Sequence, residues 1–344
     1  MARRKTTTPV GQFLYWLRYR VGEYSLRGFV AIAPWVPYRW LVLFASFCAW
    51  ATFGVLRQYR RRMEDNVTRA LGHQISKPAH RRALIWQAWK NFAHGALETC
   101  TVMHLSNERV ISTVAVTGEE HLRRALANGK GVLALSAHLG TFTMIGARLA
   151  AGGYPFSVLV KHPRDDQFAR LIDHYRTRLG MQTIAAKPRR EAVRGILKAL
   201  RENRIVLIIA DEFRSGEVMV NFMGQLAPAP RGPATLALRT GAVTLPMFAT
   251  RRADGSLLLS IGPPIEPVQV EDLEQSVVAT TALFTSYLER VIRQYPDQWN
   301  WLGFPRNGRV SRSEYRKAAK PPSDRSPAES DSSPGAIASN RSQD

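Results

Sequence analysis

The apolar positions change their period along the chain. From Trp40 to Leu56 the run WLVLFASFCAWATFGVL carries no charge over seventeen residues. A bilayer-spanning helix needs about 20 apolar residues, with about 17 as the lower bound, so this run reads either as a membrane helix or as a buried core helix. Ahead of it, Phe13, Leu14, Trp16 and Leu17 predict an approach helix. Residues 58–111 read as helices, RRMEDNVTRAL and then HRRALIWQAWKNFAHGALETCTVM. In the second, Leu84, Ala88, Phe92 and Leu97 fall near helical spacing and predict a core-packing face.

From residue 112 short apolar runs alternate with amphipathic ones. VISTVAVTG, GVLALSA, FSVLVK, MQTIAA and RIVLIIAD predict strands; EEHLRRALANG, TFTMIGARLAAGG, DDQFARLIDHYRTRLG and REAVRGILKALREN predict the helices between them. AVTLPMFATR and SLLLSIGPPI predict a strand pair, followed by the helix VEDLEQSVVATTALFTSYLERVIRQ. GQLAPAPRGPATLALRTG reads as a Pro/Gly loop opening into a helix. Such alternation predicts an α/β domain with a mainly parallel sheet flanked by helices. Three segments are expected: a basic N-terminus with a membrane-associated helix (1–57), an α/β domain (58–312) and a Ser/Pro-rich disordered tail (313–344).

Charge narrows the choice of partner. The net charge of +21 calls for anionic partners. No zinc-finger spacing, aromatic RNA-binding box or helix-turn-helix accompanies it, so nucleic acid is not expected. Arg39 before the apolar run and Arg57, Arg60, Arg61 and Arg62 after it suit an anionic membrane surface instead, where long cations reach phosphate headgroups. Cys48 and Cys100 make neither a disulfide framework nor a zinc spacing and fit a reducing compartment.

Parallel sheets bind ligands beyond the carboxyl ends of their strands, and three such places stand out. GVLALSA runs into His138-Leu139-Gly140, with a helix expected from Thr141. That places a potential general base beside a tight turn and a helix N-terminus able to stabilise an oxyanion; a capping histidine is the alternative. RIVLIIAD ends in Asp211-Glu212, carboxylates that could orient a base, bind a sugar hydroxyl or simply pair with Arg214. The third is the Pro/Gly loop containing Arg231. Ser136 lacks a nucleophile-elbow sequence. No metal-ligand spacing, P-loop or dinucleotide fingerprint is present, and no cofactor is expected.

Five stretches together resemble the bacterial lauroyl/myristoyl acyltransferases of lipid A biosynthesis, a lysophospholipid acyltransferase-like family. They are the basic-flanked apolar helix; VLALSAHLGTF; the Lys161 region with Arg176 and Gly180; VLIIAD with VMVNFMGQLAPAPRGPATLALRTGAVTLP; and YPDQWNWLGFPR. The resemblance covers most of residues 10–310. It implies a bacterial inner-membrane enzyme on the cytoplasmic face, moving a fatty acyl chain from acyl carrier protein or acyl-CoA to a hydroxyl of a membrane glycolipid such as a lipid A precursor. His138 would be the general base, with Gly140, Thr141, Lys161 and Arg231 contacting substrate.

The family box, often His-x-Gly-Asn-Trp-Glu, is only partly kept. His138 and Gly140 match, but Thr141, Phe142 and Thr143 replace the rest, and the acid is lost at Thr143. Asp211 matches a family aspartate, and Glu212 stands where glutamine is usual. Asp211 or Glu212 is therefore expected to orient His138. The alternative is a family member that lost catalysis and acts as a lipid-binding or scaffold protein. Ala229 also departs from the family's usual threonine.

Overall fold

A computed structural model describes residues 9–213 and 216–305. The tail expected at 313–344 and Arg214 lie outside the described residues.

Four long helices lead the chain: α1 (Pro9–Ile32), α2 (Tyr38–Val55), α3 (Arg57–Leu71) and α4 (Pro78–Thr101). After α5 (Asn107–Thr113) come β1 (Val114–Thr117), α6 (Glu119–Ala127), β2 (Val132–Ser136), α7 (Thr143–Ala151) and β3 (Phe156–Val160). Next are α8 (Asp166–Arg178), β4 (Met181–Ala185), α9 (Arg189–Arg201) and β5 (Ile205–Ile209). The remainder is β6 (Val218–Phe222), β7 (Gln225–Ala229), α10 (Gly232–Thr240), β8 (Val243–Arg251), β9 (Leu257–Ile261) and α11 (Leu273–Gln294).

Seven strands form one sheet in the order β1-β9-β8-β2-β5-β3-β4. Strands β8, β2, β5, β3 and β4 are parallel neighbours; β9 runs antiparallel to β8 and pairs in parallel with β1. The mainly parallel α/β reading holds.

Strand alternation divides the core in two. Leu133, Leu135, Val206, Ile208 and Phe248 point to one face, where residues of α3, α4, α9, α10 and α11 cover them. Val132, Ala134, Ile205, Leu207, Leu245 and Met247 point to the other, against α5, α6 and α7. A sheet covered on both faces reads as continuous apolar runs, which is why GVLALSA and RIVLIIAD carry so little polarity.

Three expectations are corrected. VISTVAVTG is only half strand: residues 110–113 close α5, because Ser106 caps that helix at the Arg109 N–H and Val110 is buried on it. The Pro/Gly segment is not a loop before α10. It contributes β7, paired antiparallel with β6 across a Met223-Gly224 turn in which both residues have positive φ (51° and 76°). Phe92 is not core: it is 68% exposed, whereas Ala88 and Leu97 are buried.

The apolar run forms α2, by length and composition able to cross a bilayer. Its Leu41, Ala45 and Ala49 are buried, and α2 packs on α4. Ser46 Oγ lies 2.9 Å from His94 Nε2, and Trp89 Nε1 donates to Thr52 Oγ1 at 3.0 Å.

Burial, with help from the nearby Arg251 and Lys90 charges, lowers the pKa of His94 from 6.5 to about 4. His94 is thus held neutral in the folded protein, while the unfolded chain binds its proton from about pH 6.5 downward. Between these values the unfolded state binds more protons, so stability falls as pH falls. Thermal unfolding of wild type should show this loss as pH drops from 6.5 towards about 4. A His94→Gln variant should show a shallower dependence; an unchanged dependence would remove His94 as its source.

Candidate active site

The site begins with the pairing of β2 and β5. Their parallel register sets Ser136 opposite Ile209, and the Ala210 N–H donates to the Ser136 carbonyl at 2.9 Å. Two residues beyond the strand ends, His138 and Asp211 therefore emerge side by side. Asp211 Oδ1 lies 2.8 Å from His138 Nδ1. Its Oδ2 accepts from the His138 backbone N–H at 2.9 Å and from Trp299 Nε1 at 2.8 Å. The Asp211 side chain is 2% exposed and the His138 side chain 41%. A buried carboxylate needs such partners, and an ionised one at Nδ1 selects the tautomer with its proton there, leaving Nε2 as the basic nitrogen.

The turn after β2 is fixed by backbone contacts. Gly140 has φ +56°, and a Cβ there would stand 2.1 Å from the Ala249 carbonyl oxygen. The Gly140 N–H donates to the Gln298 carbonyl, the Thr141 N–H to the Ala249 carbonyl, and the Asn300 N–H to the His138 carbonyl. Leu139 pairs antiparallel with Trp299. Gln298 also bonds both backbone groups of Arg251 through its side chain. Residues 298–300 thus act as a short strand clamping the turn.

Helix α7 starts at Thr143, two residues later than expected, and its N-cap residue Phe142 makes no side-chain cap. Since the Gly140 and Thr141 amides are engaged, they are not the oxyanion donors that a helix starting at Thr141 suggested. Thr141 Oγ1 donates to Glu98 of α4 at 2.6 Å, and Glu98 in turn pairs with Arg251 at 2.6 Å. Thr143, at the family's acid position, shares a 2.7 Å hydrogen bond with Thr99. The turn is therefore tied to α4 by hydroxyls.

An apolar cavity of about 330 Å³ opens beside the imidazole. Leu56, Tyr59 and Met63 line it, as do Ala88, Trp89 and Phe92 of α4, with His138, Gly140, Phe142, residues 298–300 and Leu302 completing the lining. Phe142 stands edge-on to the His138 ring at 5.2 Å. The exposure of Phe92 is explained by this position.

The other expected residues are more dispersed. Glu212 is exposed, while Asp211 is the neighbour that reaches the imidazole. Lys161 is exposed and follows β3, two strands from β2, roughly 10 Å along the same edge. Arg231 is occupied by Glu274 at 2.6 Å and by Glu217 at 3.8 Å. Neither cation lines the cavity. Glu98, Thr99, Arg251, Gln298 and Trp299 were not foreseen as site residues. For Gln298 and Trp299 the signal was present, within YPDQWNWLGFPR. Among the described residues no three His, Cys, Asp or Glu side chains group closely enough to hold a metal ion.

Residues 15–304 match the family described as bacterial lipid A biosynthesis acyltransferase. The chain belongs to this family. It is 26% identical over 261 residues to the phosphatidylinositol mannoside acyltransferase of Mycolicibacterium smegmatis, covering 74% of this chain and 84% of the relative. To the lipid A biosynthesis lauroyltransferase of Escherichia coli it is 26% identical over 227 residues, 64% of this chain and 71% of the relative. The palmitoleoyltransferase of the same organism is 24% identical over 254 residues, 72% and 79% of the two chains. The protein is an acyltransferase, and these relatives support acyl transfer to a glycolipid.

Two substitutions probe the carboxylate and the turn. Trp299→Phe removes one hydrogen bond to a buried charge and should cost about 1.5–3 kcal/mol of stability in denaturant unfolding. Gly140→Ala should cost more, since it combines a left-handed φ with contact against main chain; a midpoint equal to wild type would contradict the turn geometry.

Proposed function

We propose that His138 is the general base for transfer of a fatty acyl chain from a thioester, on acyl carrier protein or coenzyme A, to a hydroxyl of a membrane glycolipid. The observation that carries the reading is the His138–Asp211 pair opening onto an apolar cavity. Nε2 takes the acceptor's hydroxyl proton as its oxygen attacks the thioester carbonyl. The tetrahedral adduct then collapses to the ester and expels the thiolate, which recovers the proton from the imidazolium. Asp211 holds the ring in the productive tautomer and balances the imidazolium charge, the part assigned to the acid of a triad.

This assignment supports catalysis without an acid at Thr143, because the compensating carboxylate comes from the neighbouring strand. It weighs against a scaffold that kept only the fold. The apolar cavity suits an acyl chain. The net charge of +21 suits either anionic donor. The acceptor is a glycolipid of the lipid A precursor or mannosylated phosphatidylinositol type, with the reaction at the cytoplasmic face of a bacterial inner membrane. Lys161, on the same sheet edge, is the cation we assign to an anionic group of donor or acceptor.

The test is an assay of purified protein with acyl carrier protein and coenzyme A thioesters against both acceptor types, read by mass spectrometry. His138→Ala and Asp211→Asn should each lower the rate by about 10²–10⁴. Glu212→Gln should stay near wild type. Full activity in Asp211→Asn, or a matching loss in Glu212→Gln, would overturn the assignment of the orienting acid. Full activity in His138→Ala would overturn the base.

A further inference from the structure

Helix α2 is apolar and as long as a membrane span, yet one side of it is already occupied. The contact runs along its length and antiparallel to α4. Near its start Tyr38 reaches Glu98 at 3.4 Å. In the middle Ser46 meets His94 at 2.9 Å. Near its end Trp89 donates to Thr52 at 3.0 Å, and Phe53 packs against Trp86 and Trp89. Residues 86–98 of α4 therefore accompany α2 from end to end.

The same stretch of α4 is fastened to the catalytic turn. Glu98 holds Thr141 and Arg251, Thr99 holds Thr143, and Asn91 donates to the Asp297 carbonyl. A spanning α2 would draw these groups into hydrocarbon, together with Lys90 and the Glu98–Arg251 pair. Alternatively it would have to give up the whole α2–α4 contact. Charged groups at the centre of a bilayer are strongly disfavoured.

The free side of α2 has a different character. Trp40, Leu43, Phe44, Phe47 and Trp50 are each more than half exposed, at spacings of three and four residues. That is one helical stripe. Arg39 and Arg57 stand exposed near its two ends. An apolar stripe bounded by cations and rich in tryptophan matches the boundary between headgroups and acyl chains of an anionic leaflet.

We propose that α2 lies along the surface of an anionic phospholipid leaflet with its stripe immersed, and does not cross it. Leu56 and Tyr59, which follow α2, line the cavity beside His138. The immersed helix thus leads to the cavity, and a lipid acyl chain can move between leaflet and site without entering water. This last link rests on the proposed reaction; the orientation of α2 does not.

The experiment uses the full chain with Cys48 and Cys100 replaced by alanine and single cysteines introduced as Arg39→Cys or Arg57→Cys. These positions lie at the two ends of α2, whose 18 residues span about 27 Å, close to the thickness of the hydrocarbon core. Inverted and right-side-out membrane vesicles are treated with a membrane-impermeant thiol reagent. Both cysteines should be labelled from the same face. Labelling from opposite faces, from neither face, or absence of the protein from the membrane fraction would overturn the proposal.

As a second measurement, Phe44→Glu combined with Phe47→Glu should weaken sedimentation with phosphatidylglycerol-containing vesicles by at least about tenfold. The same variant should keep its acyl transfer rate on detergent-solubilised substrate. Unweakened sedimentation would count against the immersed stripe. Absence of transfer in wild type would count against the reaction and leave the labelling result standing.

Discussion

The site depends on one hydrogen-bonded register, that of β2 against β5. Neither strand holds a functional group within its own length. Their pairing sets the two chain ends beside each other, so that an imidazole and a carboxylate meet at 2.8 Å. The carboxylate is withdrawn from water and kept there by the imidazole, a main-chain N–H and an indole N–H. A shift of one residue in the register would send both side chains to the wrong faces, and continuous burial of both strands resists such a shift.

Around that pair the protein places supports of different chemistry. On one side, residues 298–300 hold the turn through main-chain pairing. On the other, α4 holds it through Glu98 and Thr99. The threonines at 141 and 143 thus have a structural use: each ties the turn to α4 through a hydroxyl, Thr141 to Glu98 and Thr143 to Thr99. Helix α4 touches the turn after β2 with these residues and the apolar α2 with others, which couples the placement of the His138 imidazole to α2.

Much of this was legible in the chain. The order of strands and helices followed from period and burial, and His138 and Asp211 were legible as strand ends. Sequence alone could not choose between Asp211 and its neighbour Glu212, because successive residues beyond a strand face opposite ways and only the pairing of β2 with β5 decides which faces His138. The β6–β7 hairpin was hidden by Pro228 and by a Met223-Gly224 turn lacking the usual Asn or Asp. Phe92 kept helical phase with core residues but faces a cavity, a distinction invisible to periodicity. Glu98 is brought to the turn by packing of α4 across the sheet edge, with no local pattern to announce it.

The clamp at residues 298–300 has a consequence for the order in which the protein is made. His138 and Asp211 leave the ribosome long before Gln298, Trp299 and Asn300, and until those arrive the turn lacks its paired strand and Asp211 lacks its indole partner. Contacts of such sequence separation form slowly. A nascent chain can therefore build strands β2 and β5 while the turn between β2 and α7 is still unclamped, and the His138 imidazole is set in place only once residues 298–300 have been made.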